Sequence, residues 1–210
     1  MRFVRRIDPG AVAGVLVLLA AAVAVVLVVG ARPGPGVQPG AEVGEVAAAG
    51  SIVPTGLAVP AIGVDAEVES RGTVRYENPF TGEALDGYGV PESMATASWW
   101  SDGPAPGSGQ MAVILGHQQS GGSAVFDRLH ELREGDEVVL RDSGGEVLHL
   151  TVLGAPRTGL SKATSALADT LNGHPEGADV ALVTCGGEFD DRAGTSTDNT
   201  VVFATVSAAR

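Results

Sequence analysis

Cysteine occurs once in the 210 residues, at Cys185, so no intrachain disulfide can form and no thiolate-rich metal site can assemble. The four histidines are scattered, with no CxxC or HExxH spacing. No metal motif results, and no cofactor is expected. The Gly/Pro clusters are not followed by GK[ST], which excludes a phosphate-binding loop of that type. Basic residues are also scarce, 13 against 25 acidic ones, for a net charge of -12. Residues 1–10 hold three Arg and one Asp, a local charge of +2, so the remainder carries -14. A domain that acidic is unsuited to nucleic acid, whose binding needs Lys and Arg against phosphates, and anionic surfaces repel it.

One uncharged stretch is long. Gly10 to Ala31 spans 22 residues of mostly Val, Leu and Ala, about 33 Å as a helix against a hydrocarbon core of roughly 30 Å. Arg2, Arg5 and Arg6 precede it and Arg32 follows. The bias of positive charge toward the cytoplasm then leaves residues 1–9 inside as a short segment, 10–31 as a transmembrane helix, and the rest outside the cell membrane. The competing reading is a cleaved signal peptide, with Val29-Gly30-Ala31 as the small residues, although such apolar cores usually run only about 7 to 15 residues. Residues 32–53 are rich in Gly, Pro and Ala and read as a spacer that holds the following part off the membrane. Residues 54–210 are left as one catalytic-sized domain, a normal length for a single core.

Within that domain, short β-branched runs alternate with turn residues, which indicates a mainly β fold. Strands are expected at Gly56–Val59, Met111–Leu115, Glu137–Arg141, Val147–Leu153, Asp179–Thr184 and Thr200–Thr205, with Ser143-Gly144-Gly145 as a hairpin turn. Ala124–Arg133 and Ser161–Asn172 read as short helices. The stretch from Arg71 to Gly109, rich in Gly, Pro and Ser, yields no assignment. Many short strands and few helices favour a closed or sandwich-like β architecture.

Cys185 follows the apolar run Val180-Ala181-Leu182-Val183-Thr184 and precedes Gly186-Gly187. It reads as a thiol at the end of a strand, with glycines that leave room for a substrate. The alternative is a small buried hydrophobe completing the strand. His117 closes another apolar run, Ala112-Val113-Ile114-Leu115-Gly116, and opens a polar loop. A thiol nucleophile needs a group that handles its proton and the leaving amine's proton, and imidazole suits both tasks. Attack on an amide also builds charge on the carbonyl oxygen. Arg192, seven residues beyond Cys185, is the nearest basic candidate to stabilise it. Its alternative is a solvated loop residue paired with Asp190 or Asp191. Trp99-Trp100 is read as core.

Several motifs in order carry a resemblance. Leu115-Gly116-His117 with a Phe-x-x-Leu segment, then Leu182-Val183-Thr184-Cys185, then an Arg and a last strand, resemble a sortase. Thr184-Cys185-Gly186-Gly187-x-Phe189-Asp190, Asp198-Asn199-Thr200-Val201-Val202 and Pro60-Ala61-Ile62-Gly63-Val64-Asp65 look like the actinobacterial class F sortases. The likeness covers roughly residues 54–206. It implies an eight-stranded β-barrel with the His after one strand, the Cys at the end of the seventh and the Arg near the eighth. It also implies a reaction in which the thiolate attacks the Thr-Gly bond of an LPXTG-like sorting signal on a secreted protein. An amine such as a peptidoglycan precursor then resolves the thioester. The chain departs from the pattern at the start of the last strand, where an Arg is common in relatives and Ser196-Thr197-Asp198-Asn199 stands here. A cysteine hydrolase with the same residues, and a non-catalytic membrane-tethered binding module, are the alternatives from the residues alone.

Overall fold

The computed structural model describes residues 50–119 and 121–207, so the expected helix at 10–31 lies outside the described residues. Among the described residues no helix is long and apolar enough to cross a membrane. The chain runs β1 (Pro54–Val59), β2 (Val64–Arg71), β3 (Thr73–Glu77), β4 (Ala84–Tyr88), β5 (Ala97–Trp100), β6 (Ala112–Gly116), β7 (Glu137–Asp142), β8 (Val147–Ser161), α1 (Ala166–Asn172), β9 (Val180–Asp190) and β10 (Thr195–Val206). Eight of these strands close a barrel in the order β1-β2-β5-β6-β9-β10-β8-β7, and β3 and β4 pair separately as a two-stranded ribbon. Closure leaves the eight without an open edge.

Alternation along the strands sorts side chains onto two faces. Ile114, Leu182, Val180, Val202, Leu57, Val138 and Leu150 fill the barrel interior, joined by Phe126 and Leu129. Val113, Leu115, Ala181, Val183, Val201 and Phe203 point the other way and form a second cluster with Leu171 of α1 and Ala178. Strands β6, β9 and β10 are thus covered on both faces. Their sequences accordingly read as unbroken apolar runs, as expected where neither face meets water.

All six expected strands are present, and three run five or more residues beyond their expected bounds. β8 extends to Ser161, β9 to Asp190, and β10 begins at Thr195. The extensions of β9 and β10 pair with each other, Asp190 opposite Thr195, so Cys185 lies within β9 and not at its end. The polar residues of that ribbon hid it, because the strand leaves the apolar layer while its backbone pairing continues. β2, β3 and β4 escape the side-chain pattern for a similar reason, whereas β5 is short and buried. β3 is exposed at every position, and β2 has only Val68 fully buried. The helix expected over 124–133 is a set of turns with one 3-10 turn at Leu129–Glu131. The helix expected over 161–172 is confined to Ala166–Asn172, because β8 runs on to Ser161 and a turn follows it. Trp99 is buried in the interior, its indole N–H donating to the Pro104 carbonyl at 3.0 Å. Ile52, within the segment read as spacer, is buried in the core, and its N–H donates to the Pro106 carbonyl at 3.0 Å.

Candidate active site

The site is built on the parallel pair β6 and β9, whose register places Leu115 beside Val183. The pairing ends there, two residues before His117 and Cys185, so the chain leaves β6 at Gly116 close to where β9 presents Cys185. Thr184 pins the pair at this point: its buried hydroxyl donates to the Gly116 carbonyl at 2.8 Å. By alternation Cys185 and His117 continue the row Val113, Leu115 and Val183. They therefore sit on the outer face of the barrel wall above the second cluster. Both side chains are half-buried.

Gly116 is fixed by packing. A Cβ there would collide with the Phe126 ring and with Val125, and Phe126 in turn donates its N–H to the His117 carbonyl at 3.0 Å. The His117 ring contacts the Pro91 carbonyl through Nε2 at 2.8 Å. A carbonyl only accepts, so Nε2 carries a proton, and Nδ1 is left as the position at which a proton can come and go. No hydrogen bond joins His117 to Cys185 among the described residues. Glu69 lies close enough for the two charges to be felt. Its carboxyl is held below the ordinary range, chiefly by the Thr96 hydroxyl, then by the Glu92 N–H, Arg71 and His117, with desolvation opposing. The Thr96 bond is 2.6 Å.

Asn199 lies directly opposite Cys185 on β10, and Asp198 opposite Gly186. Between Asp198 and Ser196 the register shifts, and Gly187 takes φ +73° there. That left-handed conformation favours glycine, and a Cβ would also meet the Asp198 carboxylate and the Thr197 hydroxyl at 2.5 Å.

Arg192 is not brought to Cys185. It sits in the turn joining β9 to β10, exposed, with its backbone N–H donating to the Asp190 carboxylate at 2.8 Å. That turn begins six residues past Cys185, roughly 20 Å along the strand. The expected ion pair with Asp190 or Asp191 does not form either. The cation at the thiol is Lys162, which the sequence reading passed over. Its Nζ lies 3.2 Å from Cys185 Sγ and 2.9 Å from Thr195 Oγ1. One signal in the composition could have found it: Lys162 is the single lysine among the 13 basic residues.

The other histidines are elsewhere. His149 contacts the Glu137 carboxylate at 3.0 Å, and His174 contacts the Pro175 carbonyl. Two open surface concavities, beside Arg128–Asp136 and between Asp65 and Arg141, contain neither Cys185 nor His117. Among the described residues no three His, Cys, Asp or Glu are gathered as for a metal ion.

The barrel wall thus carries the thiol on β9 and the imidazole just past β6, with a cation at the sulfur. The sequence model of the sortase domain matches residues 57–207, and the chain belongs to the sortase family, whose members are cysteine transpeptidases. Among solved structures it is similar to sortase A from Corynebacterium diphtheriae, at 17% identity over 77% of this chain and 63% of that one, with a TM-score of 0.51. It is likewise similar to sortase C-1 from Streptococcus pneumoniae, at 21% identity over 74% of this chain and 67% of that one, TM-score 0.51. The chain thus spans less than two thirds of the length of the C. diphtheriae enzyme, and at these identities the likeness speaks for the barrel fold. No curated protein matches the chain.

Proposed function

We propose that the protein is a membrane-anchored sortase of the class F kind that cleaves an LPXTG-like sorting signal and joins the new acyl end to an amine. The observation that carries this reading is the β6–β9 pairing, which runs to Leu115 opposite Val183, two residues short of His117 and Cys185, within a sortase domain. The motifs Thr184-Cys185-Gly186-Gly187 and Asp198-Asn199-Thr200 support the class, and the Gly10–Ala31 stretch behind three arginines supports the anchor and the extracytoplasmic location.

In the reaction so proposed, Cys185 Sγ attacks the Thr carbonyl carbon of the signal as the thiolate. A C–S bond forms and the carbonyl electrons move onto oxygen. Collapse of that adduct breaks the C–N bond, and His117 gives the departing Gly amine its proton. The thioester is then attacked by the acceptor amine, a peptidoglycan precursor in this reading. That amine loses a proton to His117 as the thiolate leaves. Closely set groups on two paired strands favour this sequence because the proton donor is held near the nitrogen it must serve.

The test is cleavage of a sorting-signal peptide by the full chain, with and without an added amine, and mass spectrometry of the trapped thioester. Cys185→Ala should abolish both cleavage and thioester, and His117→Ala should lower turnover by about a hundred- to ten-thousandfold. A Cys185→Ala protein that still cleaves would overturn the reading. Release of free acid alone at saturating amine would make it a hydrolase instead.

A further inference from the structure

We infer that Lys162 is the catalytic cation of this site, donating to the Cys185 sulfur and taking the place for which the sequence offered Arg192. The inference rests on the acyl-transfer reading of Cys185 above, but its first readout needs no substrate. The Lys162 ammonium stands at hydrogen-bond distance from only two atoms among the described residues, Cys185 Sγ at 3.2 Å and Thr195 Oγ1 at 2.9 Å. Arg71, Arg75, Arg128 and Arg141 each bind a carboxylate, and Arg157 lies over the Phe203 ring. Lys162 binds none, although the chain holds 25 acidic residues that could have taken it.

Its backbone is anchored on both sides. The Lys162 N–H donates to the Thr197 carbonyl at 2.9 Å, which ties it to β10. Its own carbonyl accepts from the amide of Asn78 at 2.9 Å, and that Asn78 is buried. Asn78 is held in turn: its side-chain oxygen accepts from the Phe80 N–H, and its backbone N–H donates to the Glu83 carbonyl. The residue therefore enters the site from a fixed stem. Thr195 then orients the head, so that little side-chain freedom remains to be lost when the ammonium meets the sulfur.

A compact ammonium with three donors suits this task. One donor meets Thr195 and one the sulfur, where it lies beside the negative charge that the sulfur carries as it attacks. When the thiolate attacks, negative charge passes from the sulfur to a carbonyl oxygen bonded to the attacked carbon. The third donor is free to follow it. No proton needs to leave Lys162 in this step, and His117 remains the group that exchanges one with the amine.

The test uses purified full chain and the rate at which iodoacetamide alkylates Cys185 at neutral pH, alongside peptide cleavage. Lys162→Met and Lys162→Gln should both slow alkylation about tenfold, and Lys162→Arg should keep it within a few-fold. Arg192→Met should react as the parent does. The single lysine permits a check without any substitution. Acetylation of the native protein should slow alkylation, whereas reductive dimethylation, which keeps the charge, should not. Unchanged alkylation in both Lys162→Met and Lys162→Gln, or slowing by Met alone, would overturn the inference. Arg192→Met slowing as much as Lys162→Met would overturn it too. If the parent cleaves no sorting-signal peptide while alkylation still depends on the charge at Lys162, the inference stands and the sortase reading of the substrate falls.

Discussion

Strands β6 and β7 both belong to the barrel, yet they live in different surroundings. Every residue of β6, Ala112–Gly116, is buried, whereas in β7 only Val138 and Leu140 are fully buried, with polar or half-exposed residues between them. β6 lies between the interior cluster and the outer one capped by α1, and β7 has water on its far side. Coverage on both faces is what turns a piece of barrel wall into a platform. A strand gripped from two sides can hold a side chain at its end in one position, which acid-base and nucleophilic work requires. The side chains proposed to act, His117 and Cys185, respectively follow β6 and lie on its equally covered partner β9.

The comparison can be broken most severely at Phe126. This ring is fully buried in the interior, packs on Gly116 and carries the N–H that holds the His117 carbonyl. Phe126→Ala should cost about 3 to 5 kcal/mol in chemical denaturation. It should also lower peptide cleavage in whatever fraction stays folded, because the support of His117 is lost. A stability loss under 1 kcal/mol would show that the interior repacks around the site.

A paired substitution sharpens the difference at smaller cost. Val183 on β9 is 3% exposed beneath Cys185, and Val139 on β7 faces the partly wet side. Val183→Ala should destabilise by about 2 kcal/mol and Val139→Ala by less than about 1 kcal/mol, from the methyl groups each keeps from water. Equal losses, read from urea midpoints, would mean that the outer cluster adds nothing to β9.

The smallest effect is expected at Glu69, where β2 is tied to the loop that carries Pro91 and Thr96. Its folded-state value is depressed below the ordinary 4.5, first by the Thr96 hydroxyl. Its contribution is therefore fully present above the ordinary range and fades as pH falls through the lowered value. Glu69→Gln should lower the melting temperature slightly at pH 7, and the gap to the parent should shrink below about pH 5. A gap that widens on acidification would contradict the assigned direction.

Legibility followed the same division. The doubly covered strands were readable because an unbroken run such as Val180–Val183 has no other economical use, and Cys185 and His117 were found by standing just past such runs. The ribbon β3–β4 and strand β2 carry polar residues at most positions, and pairing of backbone groups, which leaves no mark in side-chain pattern, makes them strands. The β9–β10 extension was missed for that reason. It led the reading to end the strand at Cys185 and to look for the cation a few residues downstream.

The sequence by itself determined the mainly β class, the single thiol and the order of motifs that marks a sortase. These are properties of local runs and of composition. Tertiary structure alone decided which cation meets the sulfur. Arg192 is seven residues from Cys185 in the chain, but the extended end of β9 carries the turn that holds it roughly 20 Å away, six residues at about 3.3 Å each. Lys162 is 23 residues away and lies at 3.2 Å, because β10 pairs with both β8 and β9 and brings the end of one beside the middle of the other.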